Sequence, residues 1–122
     1  MKSILFIEDE QALQKTIGDR LSPEGYEIIS ALDGEIGLNL AKTKKPDLIL
    51  LDLILPKLQG LEVLKKLKED KETKEIPVVI LTNLEEMEKV DKALELGATT
   101  YLIKANYSLE ELTEKIRNIL SH

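Results

Sequence analysis

No cysteine occurs in the chain. That excludes a disulfide framework, a thiolate metal site and a Cys nucleophile. Histidine appears only as the last residue, His122, a terminal position read as inert. Long apolar runs are missing as well. A membrane helix needs about 20 apolar residues, and the longest candidate, residues 48–55, is interrupted by Asp52. The opening run Ile4-Leu5-Phe6-Ile7 is too short for a secretory signal core and meets acids at once, so a cytoplasmic protein is expected. Nor is there an excess of positive charge: 17 Lys and Arg stand against 23 Asp and Glu, a net charge of -6. An acidic body repels both phosphate backbones and anionic lipid surfaces, so neither nucleic acid nor membrane is expected as a partner of this chain.

What is present is one domain's length of chain. The 122 residues are 43% hydrophobic and 33% charged, enough for a buried core in a soluble body. Apolar runs at residues 4–7, 26–31, 48–51, 78–81 and 101–103 alternate with segments of helical period. Several of these runs are nearly unbroken, as in strands covered on both faces. Between them, Leu13, Ile17 and Leu21 mark one helix, Ile36, Leu40 and Lys44 a second, and Leu61, Leu64 and Leu67 a third. Val90 and Leu94, then Leu109, Leu112, Ile116 and Ile119, mark two more.

The punctuation agrees. Pro23-Glu24-Gly25 ends the first helix, Asp33 and Asp47 are read as turn residues, and Pro77 opens the fourth strand. Ser108 with Glu111, and Thr82 with Glu85, have the spacing of capping boxes. Five βα units with short connections predict an α/β fold, a doubly wound parallel sheet with helices on both faces.

Ligands of such sheets bind outside the carboxyl ends of the strands. Directly after the first run come Glu8, Asp9 and Glu10. Asp52 ends the third, Thr82 follows the fourth and Lys104 follows the fifth. With the first and third strands adjacent, Glu8, Asp9 and Asp52 converge. Crowded carboxylates repel unless neutralised, and a hard divalent cation with oxygen ligands, Mg2+, suits them. A lysine and a hydroxyl opposite complete an anion site suited to phosphoryl transfer, with a carboxylate as nucleophile. Each residue alone also has a plainer reading: an acidic pair as a helix cap, a lone Asp or Thr82 as a turn or cap, Lys104 as a lysine extending along the surface. Their coincidence at one sheet edge favours the site. Asp52 also sits inside an apolar stretch where a merely structural charge is costly.

The set Ile7-Glu8-Asp9-Glu10, Pro46 to Asp52 followed by Pro56 and Gly60, Val78 to Thr82, and Tyr101-Leu102-Ile103-Lys104 resembles the receiver domain of bacterial two-component response regulators, notably single-domain chemotaxis-type receivers. The resemblance covers essentially all of residues 1–122. It implies a flavodoxin-like three-layer (βα)5 fold with strand order 2-1-3-4-5. It implies Asp52 as phosphoacceptor, and Glu8, Asp9, Asp52 and the Ile54 carbonyl around Mg2+, with Glu8 acting through metal-bound water. Thr82 and Lys104 would bind phosphoryl oxygens, and Tyr101 would be the switch aromatic. The implied partners are a sensor histidine kinase or histidine phosphotransfer protein and a downstream protein target. Output would pass through the surface of the fourth helix, fifth strand and fifth helix, a face that also allows a homodimer.

Departures from the family pattern carry expectations of their own. Ala105 follows Lys104 where the family has proline with a cis bond. A cis bond without proline costs about 3 kcal/mol, so the sequence leaves cis or trans open there, and with it the setting of the lysine. Gln59 stands where Asp is common, and Asn83 where a small residue is usual, narrowing access to the phosphoryl group. Ile54 and Leu84 fill the variable flanking positions. Both are apolar and unable to orient water, which predicts slow loss of phosphate. Alternatives are a receiver cut from a longer regulator with a DNA-binding or other output domain, and a pseudo-receiver that never takes phosphate. A flavodoxin-like cofactor enzyme is the weakest rival, because no glycine-rich or hydroxyl-rich phosphate loop follows the first strand.

Overall fold

The runs at residues 4–7, 48–51 and 78–81 become central strands covered from both sides, whereas those at 26–31 and 101–103 form edge strands that are only partly covered. The computed structural model describes residues 1–105 and 108–121; His122 lies outside them. The strands are β1 (Ser3–Ile7), β2 (Glu27–Ala31), β3 (Leu48–Asp52), β4 (Val78–Thr82) and β5 (Thr100–Ile103). The helices are α1 (Gln11–Leu21), α2 (Gly34–Lys44), α3 (Gly60–Glu69), α4 (Met87–Leu96) and α5 (Leu109–Leu120). All strand pairs are parallel, in the order β2-β1-β3-β4-β5. This is the flavodoxin-like α/β arrangement the sequence predicts.

Side-chain alternation splits the interior into two cores. Ile4, Phe6, Leu48, Leu50, Val79 and Leu81 meet Ile17 and Leu21 of α1 and Leu112 and Ile116 of α5. Leu5, Ile7, Ile49, Leu51, Val78 and Ile80 face the other way, onto Ala41 of α2, Val63, Leu64 and Leu67 of α3, and Ala93 of α4. Every residue of β3 and β4 is buried, which explains why these runs carry no polar alternation.

Three local expectations are corrected. First, the buried stripe of α2 is Gly34, against Leu58 and Val63, with Gly37 and Ala41, while Ile36 is 46% exposed. The helix lies so close to β1 that a Cβ on Gly37 would stand 2.6 Å from Ile7 Cδ1, so small residues face inward. Likewise Leu94 is largely exposed, and Val90 with Ala93 faces the core. Second, Thr82 caps no helix. It is the last strand residue, level with Ile103, and a 3-10 turn at Leu84–Glu86 delays α4 to Met87. Third, Asp33 caps α2, accepting from the Ile36 amide at 2.8 Å, and Asp47 accepts from the Ser3 amide at 2.8 Å, fastening the start of β1. Both do more than shape a turn. Ser108 caps α5 as expected, accepting from Glu111 N at 3.0 Å. Among the described residues no helix is long and apolar enough to cross a membrane.

Candidate phosphoacceptor and metal site

Strand order places β1 and β3 side by side, with Ile7 level with Leu51, so the residues following each strand meet at one rim. Asp52 is 3% exposed and Glu8 1% exposed, whereas Asp9 is open to solvent. One carboxylate oxygen from each of Glu8, Asp9 and Asp52 lies within 4.8 Å of the others. From the end of β5, Lys104 brings its ammonium to 2.7 Å from Asp52 Oδ2 and 2.9 Å from Glu8 Oε1. The Ile54 amide donates to Asp52 Oδ1 at 3.1 Å. Main-chain bonds hold the strand ends in place: Lys104 N donates to Thr82 O at 2.8 Å, and Leu53 N to Leu81 O at 3.3 Å.

The electrostatics are unbalanced. Burial first, and then the contact with Asp52, push the Glu8 carboxyl up to about 8, against the opposing pull of Lys104. Burial disfavours the charged Lys104 ammonium, yet its bond to Asp52 and its ion pair with Glu8 outweigh that cost and hold its pKa above the ordinary value. Only with Glu8 ionised do three carboxylates against one ammonium leave two negative charges, which one divalent cation would balance. Glu8 Oε1 is buried and, among the described residues, accepts no well-directed hydrogen bond despite the ammonium 2.9 Å away. An all-oxygen acidic set with a free lone pair fits a hard divalent ion.

The close cluster thus unites four of the residues singled out from the sequence. Ile54 borders it through its amide. The Thr82 hydroxyl instead donates to the Asn83 carbonyl at 3.2 Å. Tyr101 is half-buried against the core that the sheet shares with α2, α3 and α4. The Lys104–Ala105 peptide bond is trans. Gln59, in the cap position of α3, makes no side-chain capping bond. Gly60 brings α3 directly onto the end of β3, where a Cβ would stand 2.5 Å from Asp52 O.

One residue escaped the sequence reading. Gln14 lies on the buried stripe of α1 with Ile17 and Leu21, 8% exposed, while Leu13, expected there, packs only partly against the core. A polar side chain at three and seven residues from two core positions was the available signal.

Comparisons with known proteins agree with this arrangement. The model of the response regulator receiver domain matches residues 4–117. The alkaline phosphatase synthesis transcriptional regulatory protein PhoP of Bacillus subtilis is 42% identical over 121 residues, covering 98% of this chain and 48% of that protein. Response regulator ArlR of Staphylococcus aureus is 37% identical over 122 residues, covering 98% and 53%. The chain therefore spans about half the length of the curated relatives it matches. Among solved structures, the receiver domain of NtrX from Brucella abortus superposes with a TM-score of 0.87 at 28% identity, covering 97% of this chain and 98% of that one. Chemotaxis response regulator CheY4 of Vibrio cholerae gives 0.90 at 28%, covering 98% and 99%. From β1 to α5, in sequence as in strand order, the chain belongs to the response regulator receiver domain family.

Proposed function

We propose that residues 1–122 act as a cytoplasmic phosphorylation-operated switch with Asp52 as phosphoacceptor. The observation that carries this reading is the meeting of Glu8, Asp9 and Asp52 at one rim with Lys104 on Asp52. A phosphohistidine on a sensor histidine kinase or phosphotransfer protein is the donor. The Asp52 carboxylate attacks phosphorus, an O–P bond forms, the N–P bond breaks, and the imidazole nitrogen leaves with the electron pair. Asp9, Asp52 and the Ile54 carbonyl would hold Mg2+, with Glu8 acting through water, and the ion would supply positive charge to the phosphoryl oxygens. Lys104, already at Asp52, takes one phosphoryl oxygen. Thr82 exchanges its bond to Asn83 for another. That draws the loop after β4 inward, lets Tyr101 follow, and biases the face of α4, β5 and α5 toward a downstream protein or a second copy of the chain.

The length of the curated relatives favours a second, compatible reading: the chain is the receiver part of a longer transcriptional regulator. Both readings need the same chemistry. Incubation with acetyl phosphate and Mg2+, followed by intact mass, should give one phosphoryl adduct on the wild type and none on Asp52→Asn. An adduct on both, or on neither, overturns the assignment and leaves a constitutive interaction module.

A further inference from the structure

Gln14 stands in the first turn of α1 with its side chain turned to the sheet. Its Nε2 donates to three main-chain carbonyls: Phe6 at 2.9 Å, Glu8 at 3.1 Å and Ala31 at 3.2 Å. An amide nitrogen has two hydrogens, so one of them is shared. Among the described residues the buried amide oxygen has no partner. Turning the amide over would set that oxygen against three carbonyl oxygens, so its orientation is fixed by electrostatics. A buried acceptor is left stranded so that the donor can serve this spot.

The three carbonyls belong together. Phe6 and Ala31 lie at the carboxyl ends of β1 and β2, and Glu8 is the first residue past β1. Ala31 O also accepts from the Glu8 amide at 3.0 Å, and Gln14 N donates to Glu10 O at 3.1 Å. Gln14 therefore closes the turn of residues 8–10 from both ends, its main chain on Glu10 and its side chain on Glu8. Within the turn, Glu10 N donates to Glu8 Oε2 at 3.2 Å. We infer that Gln14 is a positioning residue of the acidic site: its amide holds the turn that directs Glu8 inward and leaves Asp9 at the rim. This rests on the reading of Glu8, Asp9 and Asp52 as a cation site. Gln14 itself touches no ligand.

The test compares wild type, Gln14→Met, Gln14→Lys and Ile17→Val. Methionine keeps the length without a donor, and lysine keeps donors without the stranded acceptor. Ile17→Val trims the same stripe one turn on, touching none of the three carbonyls. Two quantities are read: the Mg2+ dissociation constant by calorimetry, and amide hydrogen exchange of residues 8–10 without metal. Gln14→Met should weaken Mg2+ binding about tenfold and speed exchange in the turn relative to the rest of the sheet. Gln14→Lys should bind within about twofold of wild type, and Ile17→Val should lower the melting temperature while leaving Mg2+ affinity unchanged. An unchanged constant in Gln14→Met, an equal loss in Gln14→Lys, or an equal loss in Ile17→Val overturns the role. Should Gln14→Met fail to fold, Gln14→Lys decides, wild-type affinity supporting the role and weak binding refuting it. A wild type that binds no Mg2+ defeats the cation-site reading and this inference with it. Wild-type binding that Gln14→Met leaves intact defeats the positioning role alone.

Discussion

The Lys104 ammonium lies 2.7 Å from Oδ2 of Asp52, joining the end of β5 to the end of β3 across β4. The same ammonium reaches Glu8, so a single cation holds two buried carboxylates at the end of the sheet. Removing it leaves those carboxylates facing each other in a site nearly closed to water, where an unpaired charge is costly.

Lys104→Met should accordingly lower the stability of the metal-free protein by about 2–3 kcal/mol, read by urea denaturation in chelator. Saturating Mg2+ should restore most of that loss, because the divalent ion meets a more negative site once the lysine is gone. A variant equally destabilised with and without Mg2+ would show that Lys104 serves packing alone.

Glu8 sets a pH dependence. Its carboxyl is raised from 4.5 to about 8, chiefly by burial and by Asp52. Between those values the folded protein keeps a proton that the unfolded chain has released, so stability from this group is full below 4.5 and is lost as pH rises through 8. A divalent ion must displace that proton. Mg2+ should therefore raise the melting temperature more at pH 8 than at pH 6, and its binding should release protons. Calorimetry in buffers of different ionisation enthalpy counts them. Glu8→Gln should remove both effects, and their persistence in that variant would assign the proton elsewhere.

Two glycines in helices should respond oppositely to alanine. A Cβ at Gly60 would meet Asp52 O and Leu53 Cα, both at 2.5 Å, main-chain atoms that cannot step aside. Gly60→Ala should cost about 2 kcal/mol or more and slow phosphorylation by displacing Asp52. At Gly18, inside α1, a Cβ meets nothing within 4 Å. Gly18→Ala should add roughly 0.5–1 kcal/mol of stability through helix propensity. Denaturation midpoints check both signs, and equal losses would contradict the packing at β3.

The contrast between these glycines marks what the sequence could reveal. The sheet and the rim were legible because β3 and β4 are covered on both faces and therefore unbroken in apolar character, and because topology alone brings the ends of β1 and β3 together. The inward face of α2 was not, because its close approach to β1 favours Gly37 over the larger Ile36; on α4 Val90 was legible, but the buried Ala93 beside the exposed Leu94 was not. Periodicity weights bulk, whereas the helix–sheet distance selects smallness. Thr82 misled for a related reason. The spacing of a capping box does not reveal that a 3-10 turn intervenes before α4. Gln14 escaped because its three acceptors are main-chain atoms of two strands and of the turn after β1, which no side-chain pattern displays.

The persistence of the phosphorylated state should follow from two exposed apolar residues. Ile54 is 40% and Leu84 59% exposed, although both are of a type usually buried. Ile54 borders the acceptor through its amide, 3.1 Å from Asp52 Oδ1, but its side chain offers no donor or acceptor with which to orient a water for attack on the phosphoryl group. Hydrolysis of the aspartyl phosphate depends on that orientation, since a loosely held water loses the advantage of proximity. Ile54→Asn places an amide on the same exposed position with little loss of buried area. It should shorten the phosphate lifetime several-fold, on the order of 1 kcal/mol in the barrier, while leaving the initial rate of phosphorylation by acetyl phosphate nearly unchanged. Loss of phosphoryl label after removal of the donor measures the lifetime directly. A wild-type decay faster than that of Ile54→Asn would mean that water is oriented by another group, and that these apolar residues do not govern how long the signal lasts.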